Sequence, residues 1–224
     1  FNSYSAQVFG AMGIAYAAEM IGTEHDKAYP YTARGLLGEA AYVAARNQAE
    51  DGASPLDEVN PPIVQGQFMT TGNALVAIKR MADQNGDAGL QEAAGRSIEW
   101  IATHEPQTTQ DKVFKVISLM HYGTPDQKRL AWSVVETLAS EQRKDGGWKE
   151  NSASAGSNAI ATGQVLYAFK QAGVSIHGDM FRRGVDYLLT HQVNDPASLD
   201  NGTWQAMNTA KPPFNDPRVR EAVN

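Results

Sequence analysis

The chain has 224 residues, a formal net charge of −6, 42% hydrophobic residues and 20% charged ones, the balance of a chain that folds around a sizeable core rather than a disordered one. Its basic residues lie singly or in pairs such as Arg182 and Arg183, which argues against nucleic acid as a partner. Cysteine is absent, excluding disulfides, thiolate zinc sites, thioesters and cysteine nucleophiles.

The sequence opens at Phe1 without a methionine and closes at Asn224 in a polar, proline-bearing stretch. It reads as a processed or excised piece of something longer, through either a removed signal peptide or a domain boundary. In chain order, residues 5–21 read first as a helix. Gly10, Gly13 and Glu19 keep its apolar run short of the roughly 18 residues that cross a bilayer, so no membrane span is expected. A different pattern begins at Leu37, with apolar residues at i, i+4, i+7 and i+8 and a polar residue at i+11. The copies are Leu37/Ala41/Ala44/Ala45 with Gln48, Ala94/Ile98/Ile101/Ala102 with Glu105, Ala131/Val135/Leu138/Ala139 with Gln142, and Phe181/Val185/Leu188/Leu189 with Gln192. Each copy is one apolar helix face.

Between the stripes, residues 70–83, 109–122 and 157–172 read as helices with apolar residues on more than one face, as in Val113, Phe114, Val116, Ile117, Leu119 and Met120. Such helices pack on several sides. The striped helices, with Arg182, Arg183 and Asp186 opposite the apolar face, read as an outer layer around them. Gly22, Asn85-Gly86, Gly123 with Pro125, and Gly173 mark helix ends, and Pro106 separates an outer helix from the next inner one. The stretch from Asp51 to Gln67, with Pro55, Pro61 and Pro62, reads as a surface loop.

Two segments repeat in order. Thr71–Lys79 (TGNALVAIK) matches Thr162–Lys170 (TGQVLYAFK) at an offset of 91, and Ile98–His104 matches Val185–His191 at an offset of 87. A duplicated helical hairpin follows, and with it a single helical repeat domain over residues 1–204. Residues 205–224, interrupted by Pro212, Pro213 and Pro217, read as a tail or a connection to a missing segment.

Few polar residues suggest chemistry. Asp111 and His121 are nearly three turns apart on one helix, too far to act as a pair. His104 and His191 sit at outer-helix ends and read as helix-terminus partners; His25 and His177 read as solvated turn residues. No histidine pair has metal-ligand spacing. Trp100 and Tyr187 align and read as rings buried between layers, and Tyr4, Phe9, Tyr16, Phe114 and Tyr167 read as core or as the lining of an apolar cavity.

Gln142-Arg143-Lys144-Asp145-Gly146-Gly147-Trp148 has the form of a QW motif, in which an amide at a helix end bonds backbone and meets an indole, tying one hairpin to the next. Gln192 with Gly202 and Trp204 forms a stretched copy, and Gln48 to Gly52 an eroded one without tryptophan. On these residues the chain resembles the squalene-cyclase and prenyltransferase superfamily over roughly residues 32–204, and within it the bacterial squalene-cyclase C-terminal-like domains. The resemblance implies an all-α fold, an α/α-toroid or partial toroid of helical hairpins in inner and outer layers, with the QW residues structural.

The family's chemistries leave no trace in this sequence. The Asp-x-Asp-Asp acid of the cyclases is absent, with Asp51, Asp57, Glu58 and Asp111 isolated and Asp145 in the QW turn. The zinc and thioester sites of other branches need the missing cysteine. The resemblance places Gln67, Thr70, Asn73, Asp111, His121, Asn158 and Gln164, with Ser157, where a ligand in the ring would meet the inner helices. Read from the residues alone, Thr, Ser and Asn there are helix caps. No catalytic residue, metal or cofactor is assigned.

The expected function is therefore a non-catalytic scaffold or interaction module in a larger protein or complex, periplasmic or secreted. About four hairpins are present where the family's rings need five to seven, so the apolar edge requires a protein partner, a missing part of the same chain or an apolar ligand. Bacterial relatives joined to or encoded with c-type cytochrome modules imply a redox subunit as one partner. The competing expectation is an isoprenoid- or lipid-binding protein, or a cyclase-like isomerase whose acid lies outside this segment.

Overall fold

A computed structural model describes residue 8 and residues 33–56 and 66–191. The expectations for residues 5–21 other than Val8, for His25, Asp57 and Glu58, for the segment from Gln192 through Gly202 to Trp204, and for the tail lie outside the described residues. The chain divides into two compact units, Phe1–Leu189 and Thr190–Asn224, and the helices described below belong to the first apart from the closing residue of the last helix.

Among the described residues the protein is all-helical. Seven helices follow in order: α1 Ala33–Asn47, α2 Gln67–Asn85, α3 Ala88–Thr103, α4 Thr109–Tyr122, α5 Pro125–Ser140, α6 Ala159–Ala172 and α7 Asp179–Thr190. Extended pairing is limited there to a single bridge between Trp148 and Asn158. Both members of the repeated segment, Thr71–Lys79 and Thr162–Lys170, are helical.

Local chemistry sets the helix ends. Thr108 and Asp111 form a reciprocal capping box at the start of α4, and Thr124 and Gln127 form another at the start of α5, where Pro125 takes the first helical position. Asp87 caps α3 through the Leu90 amide, and Asn158 caps α6 through the amides of Ile160 and Ala161. Each such cap is worth about 1 kcal/mol. Gly86 (φ 67°) and Gly173 (φ 83°) close α2 and α6 in the left-handed conformation, which glycine adopts without penalty. Gly123 closes α4 for another reason. Its backbone is extended, but a Cβ there would lie 2.5 Å from the Leu119 carbonyl oxygen.

α2 packs on α1, α3 and α4, and α4 packs in turn on α2, α3, α5 and α6. The multi-faced helices α2, α4 and α6 therefore form a central series, flanked by the striped ones. The stripes are buried as their periodicity requires: Leu37, Ala41 and Ala44 in α1, Ala94, Ile101 and Ala102 in α3, and Ala131, Val135 and Leu138 in α5. α7 departs from its expected stripe. Gly184 and Tyr187 are its buried residues, Phe181, Val185 and Leu188 are half-buried, and Leu189 is 58% exposed. Ala102 of α3, the equivalent of Leu189, is buried and its carbonyl receives Lys115 of α4.

The core falls into two clusters. One joins Val8 to the apolar faces of α1, α2 and α3, reaching Leu119 and Ala131; the other joins α4, α5 and α6 around Trp148 and Phe169. Phe114 and Met120 of α4 touch both.

Candidate functional site

The most elaborate polar constructions among the described residues are two turns, one after α1 and one after α5. At the second, Gln142 Nε2 donates to the Gly146 carbonyl (2.9 Å) and across to the Met180 carbonyl (2.8 Å), while its Oε1 accepts from Arg183. Gly146 has φ 89°, and a Cβ there would stand 2.3 Å from the Arg183 carbonyl oxygen. The Gly147 amide donates to Asp145 Oδ1 (3.0 Å), whose carboxylate also accepts from Ser157. The Trp148 side chain is fully buried, donates from Nε1 to the Leu138 carbonyl (2.6 Å) and meets Phe169 edge-on; the Trp148 amide donates to Thr162 Oγ1 (3.0 Å).

The first turn repeats the glutamine, glycine and main-chain bonds of the second. Gln48 Nε2 donates to the carbonyls of Gly52 (3.2 Å) and Ala93 (2.9 Å), and its Oε1 accepts from Arg96 Nη2 (2.7 Å). Gly52 has φ 99° and lies against the Arg96 carbonyl; the Ala53 amide donates to Asp51, and the Ser54 amide to Thr71 Oγ1 (2.9 Å). Ser54 stands where the second turn has Trp148. The facing helix changes in the opposite sense: Gly184, whose added Cβ would meet the indole at 3.1 Å, is replaced in the first turn by Ser97, which accepts from Gln48 (2.7 Å) and donates to the Gly52 carbonyl.

Sequence reasoning found the two glutamines and missed Arg96, Arg183 and the Ser97/Gly184 exchange. The signal was present, since both pairs sit at the same offset of 87 that aligns the neighbouring segments. Gln142→Leu strands two carbonyls and a guanidinium at the helix junction. The expected loss is about 1–3 kcal/mol of unfolding free energy, read from urea denaturation.

Glu105, the expected carboxylate equivalent, builds no such turn: its side chain is exposed, and its carbonyl accepts from Gln107. Lys115 of α4 holds this junction instead, donating from Nζ to the carbonyls of Ala102 (2.9 Å) and His104 (2.7 Å) and lying 6.0 Å from the Phe68 ring centroid. His104 Nδ1 donates to the Trp100 carbonyl (2.9 Å) and the imidazole stacks on the Trp100 ring, fulfilling its helix-end role. Trp100 and Tyr187 are both buried, as expected.

Desolvation holds the Lys115 ammonium below its ordinary pKa, against an opposing pull from Glu105. The unfolded chain therefore binds a proton that the folded chain has released between the folded value and about 10.4, so stability rises with pH across that window. Lys115→Met is expected to flatten the rise. Denaturation of both proteins from neutral to alkaline pH checks it, because the upward-shifted Tyr42 and Tyr187 hydroxyls titrate in both.

Most of the expected ligand-facing residues bond to backbone, and Asp111 lies against Gly66 at the start of α2, beside Gln67. Asp111 Oδ2 accepts the amides of Gln107 (3.1 Å) and Thr108 (3.0 Å); Asn158 caps α6; Thr70 is buried and donates to the Gln67 carbonyl; Gln67 donates to the Ser54 carbonyl (3.3 Å). His121, at the opposite end of α4 from Asp111, is hydrogen-bonded to Gln171 (3.1 Å). Asn73 and Gln164 are half-buried at equivalent places on α2 and α6. Among the described residues no group of three His, Asp or Glu could hold a metal ion, and no helix is long and apolar enough to cross a membrane.

No protein-family model matches this chain. No curated protein matches it either.

A partly enclosed cleft of about 250 Å³ lies between the α4 start and the Trp148 turn and is lined by Thr109, Lys112, Glu141, Arg143, Lys149 and Asn151 among others. Lys112 is ion-paired with Glu141 across it. Of its other cations, Arg143 lies 4.0 Å from Asp145. Desolvation opposes ionisation of Asp145, but bonds from Ser157 and the Gly147 amide, with Arg143, outweigh it and hold the carboxyl below its usual range.

Proposed function

We propose that this chain is a non-catalytic helical-repeat scaffold, an interaction module of a larger protein or complex, built as a partial α/α-toroid of the squalene-cyclase type. One observation carries the reading: the polar side chains at the helix starts and turns are committed to backbone. Asp111 and Asn158 are tied to amides, Thr70 and Gln67 to carbonyls, and Gln48 and Gln142 each to two carbonyls and an arginine. A general acid or base must reach a substrate proton. These groups instead fasten hairpin to hairpin, which is what an extended repeat array needs.

The sequence supports the same reading through its duplicated hairpins and the QW form of Gln142 to Trp148. The test is chemical. Purified protein incubated with polyprenyl substrates is expected to return them unchanged, and its organic extract to contain no terpenoid by mass spectrometry. A turned-over product, or a stoichiometric terpenoid in the extract, overturns the scaffold reading in favour of isoprenoid binding.

A further inference from the structure

The turn after α5 carries two cations that its own construction does not use. The offset of 94 that aligns Gln142 with Gln48 and Gly146 with Gly52 carries Arg143 to Ala49 and Lys149 to Pro55. The first turn nonetheless holds its glutamine between the same kinds of carbonyl and hands its amides to the same kinds of side chain. Even the main-chain bond at the arginine is kept: the Ala49 amide donates to the Ala53 carbonyl (2.8 Å) as the Arg143 amide does to Gly147 (3.0 Å). Neither cation is therefore needed to fold the turn.

Both line the cleft of about 250 Å³ beside the start of α4. Arg143 Nε is buried without a hydrogen-bond partner, although buried polar groups in native proteins nearly all have one. Lys149 Nζ makes no hydrogen bond or ion pair among the described residues. Asn151 adds a third donor. Its Oδ1 accepts the amides of Ala153 (3.0 Å) and Ser154 (3.1 Å), which fixes the orientation of the side-chain amide and leaves Nδ2 uncommitted. Glu141, the acidic residue of the lining, is taken by Lys112, and Asp145 lies 4.0 Å from Arg143. Three cations against two carboxylates leave one positive charge unmatched.

We infer that this cleft binds a small organic monocarboxylate, held by Arg143, Lys149 and the Asn151 amide. The guanidinium fork matches a planar carboxylate, and a single unmatched charge suits a monoanion better than a phosphate dianion. The volume is below the roughly 300–1,000 Å³ of sites for drug-sized ligands, so the carbon skeleton is short. The assignment goes beyond the scaffold reading and does not depend on it.

The probe is sodium butyrate, titrated into the ¹⁵N-labelled full chain at constant ionic strength with sodium chloride as the balance. Saturable shifts of the Arg143, Lys149 and Asn151 amide signals are expected. Arg143→Ala, which installs the residue of the first turn, and Lys149→Met are each expected to weaken binding by at least about tenfold while keeping the parent's thermal midpoint. Lys144→Ala removes an exposed cation of the same turn that does not line the cleft, and is expected to change binding by less than about twofold.

Shifts that chloride reproduces, an equal response to Lys144→Ala, indifference to Lys149→Met, or tighter binding of inorganic phosphate at matched ionic strength overturns the assignment. If Arg143→Ala does not fold, the arginine is structural and Lys149→Met decides alone. A polyprenyl product would remove the scaffold reading and leave these shifts untouched.

Discussion

Trp148→Ala is expected to cost about 3–5 kcal/mol of stability, the range for deleting a fully buried aromatic side chain. The indole is completely buried, packed edge-on against Phe169 and close to Gly184, and its Nε1 proton goes to the Leu138 carbonyl at the end of α5. Removal therefore takes away packing between α5, α6 and α7 together with a hydrogen bond. The vacated space sits under Gly184, which has no side chain to fill it. Urea denaturation measures the loss, and a cost under about 1 kcal/mol would mean that the turn does not join these helices. Trp148→Phe keeps much of the ring but not the donor, so it separates packing from bonding.

Gly146→Ala comes second, at about 2–4 kcal/mol, because strain and collision act at the same atom. The residue has φ 89°, which an L side chain rarely adopts, and its Cβ would stand 2.3 Å from the Arg183 carbonyl oxygen. The neighbour is backbone and has no rotamer by which to withdraw. α7 must move away, and with it the Met180 carbonyl that accepts from Gln142. Gly86→Ala provides the contrast: positive φ again, but open space around the added carbon, so its cost is expected to stay near 1 kcal/mol. The difference in thermal midpoint between the two variants isolates the contact from the strain.

Helix content was readable from the sequence because apolar periodicity and end chemistry agreed. Thr109–Tyr122 is helical over the very residues anticipated, fixed by Thr108 and Asp111 at one end and Gly123 at the other. The repeated segments were readable for the same reason. What escaped the sequence was where a polar side chain spends its bonds across helices. Glu105 shares the spacing of Gln48 and Gln142, yet a carboxylate has no proton to give two carbonyls, and Lys115 from the next helix fills that place.

Arg183 reads from the sequence as a water-facing charge and Arg96 carries no signal of its own, because each lies mid-helix, where charge normally faces water; their guanidinium groups instead accompany a glutamine about 41–48 residues earlier in the chain. The stripe on α7 was misread because periodicity marks a face and cannot say whether anything covers all of it. Leu189 belongs to that face and remains open. Among the candidate site residues, Asn158 is the helix cap that its residue type suggested, whereas Thr70 is not: α2 begins at Gln67, after Gly66, and Thr70 lies inside its first turn and donates to the Gln67 carbonyl.

The three junctions described here use two kinds of fastener, with a glutamine and an arginine at the outer two and a lone buried lysine between them. That lysine belongs to α4, the helix whose Phe114 and Met120 bridge the two apolar clusters. Among the described residues of the first unit, α4 thus serves as a spine, with α1, α2 and α3 as one leaf and α5 and α6 as the other. Under slow hydrogen exchange, the amides of α2 and those of α6 should form two cooperative groups rather than one. A mechanical or thermal load would then open the protein like a book, long before either cover came apart.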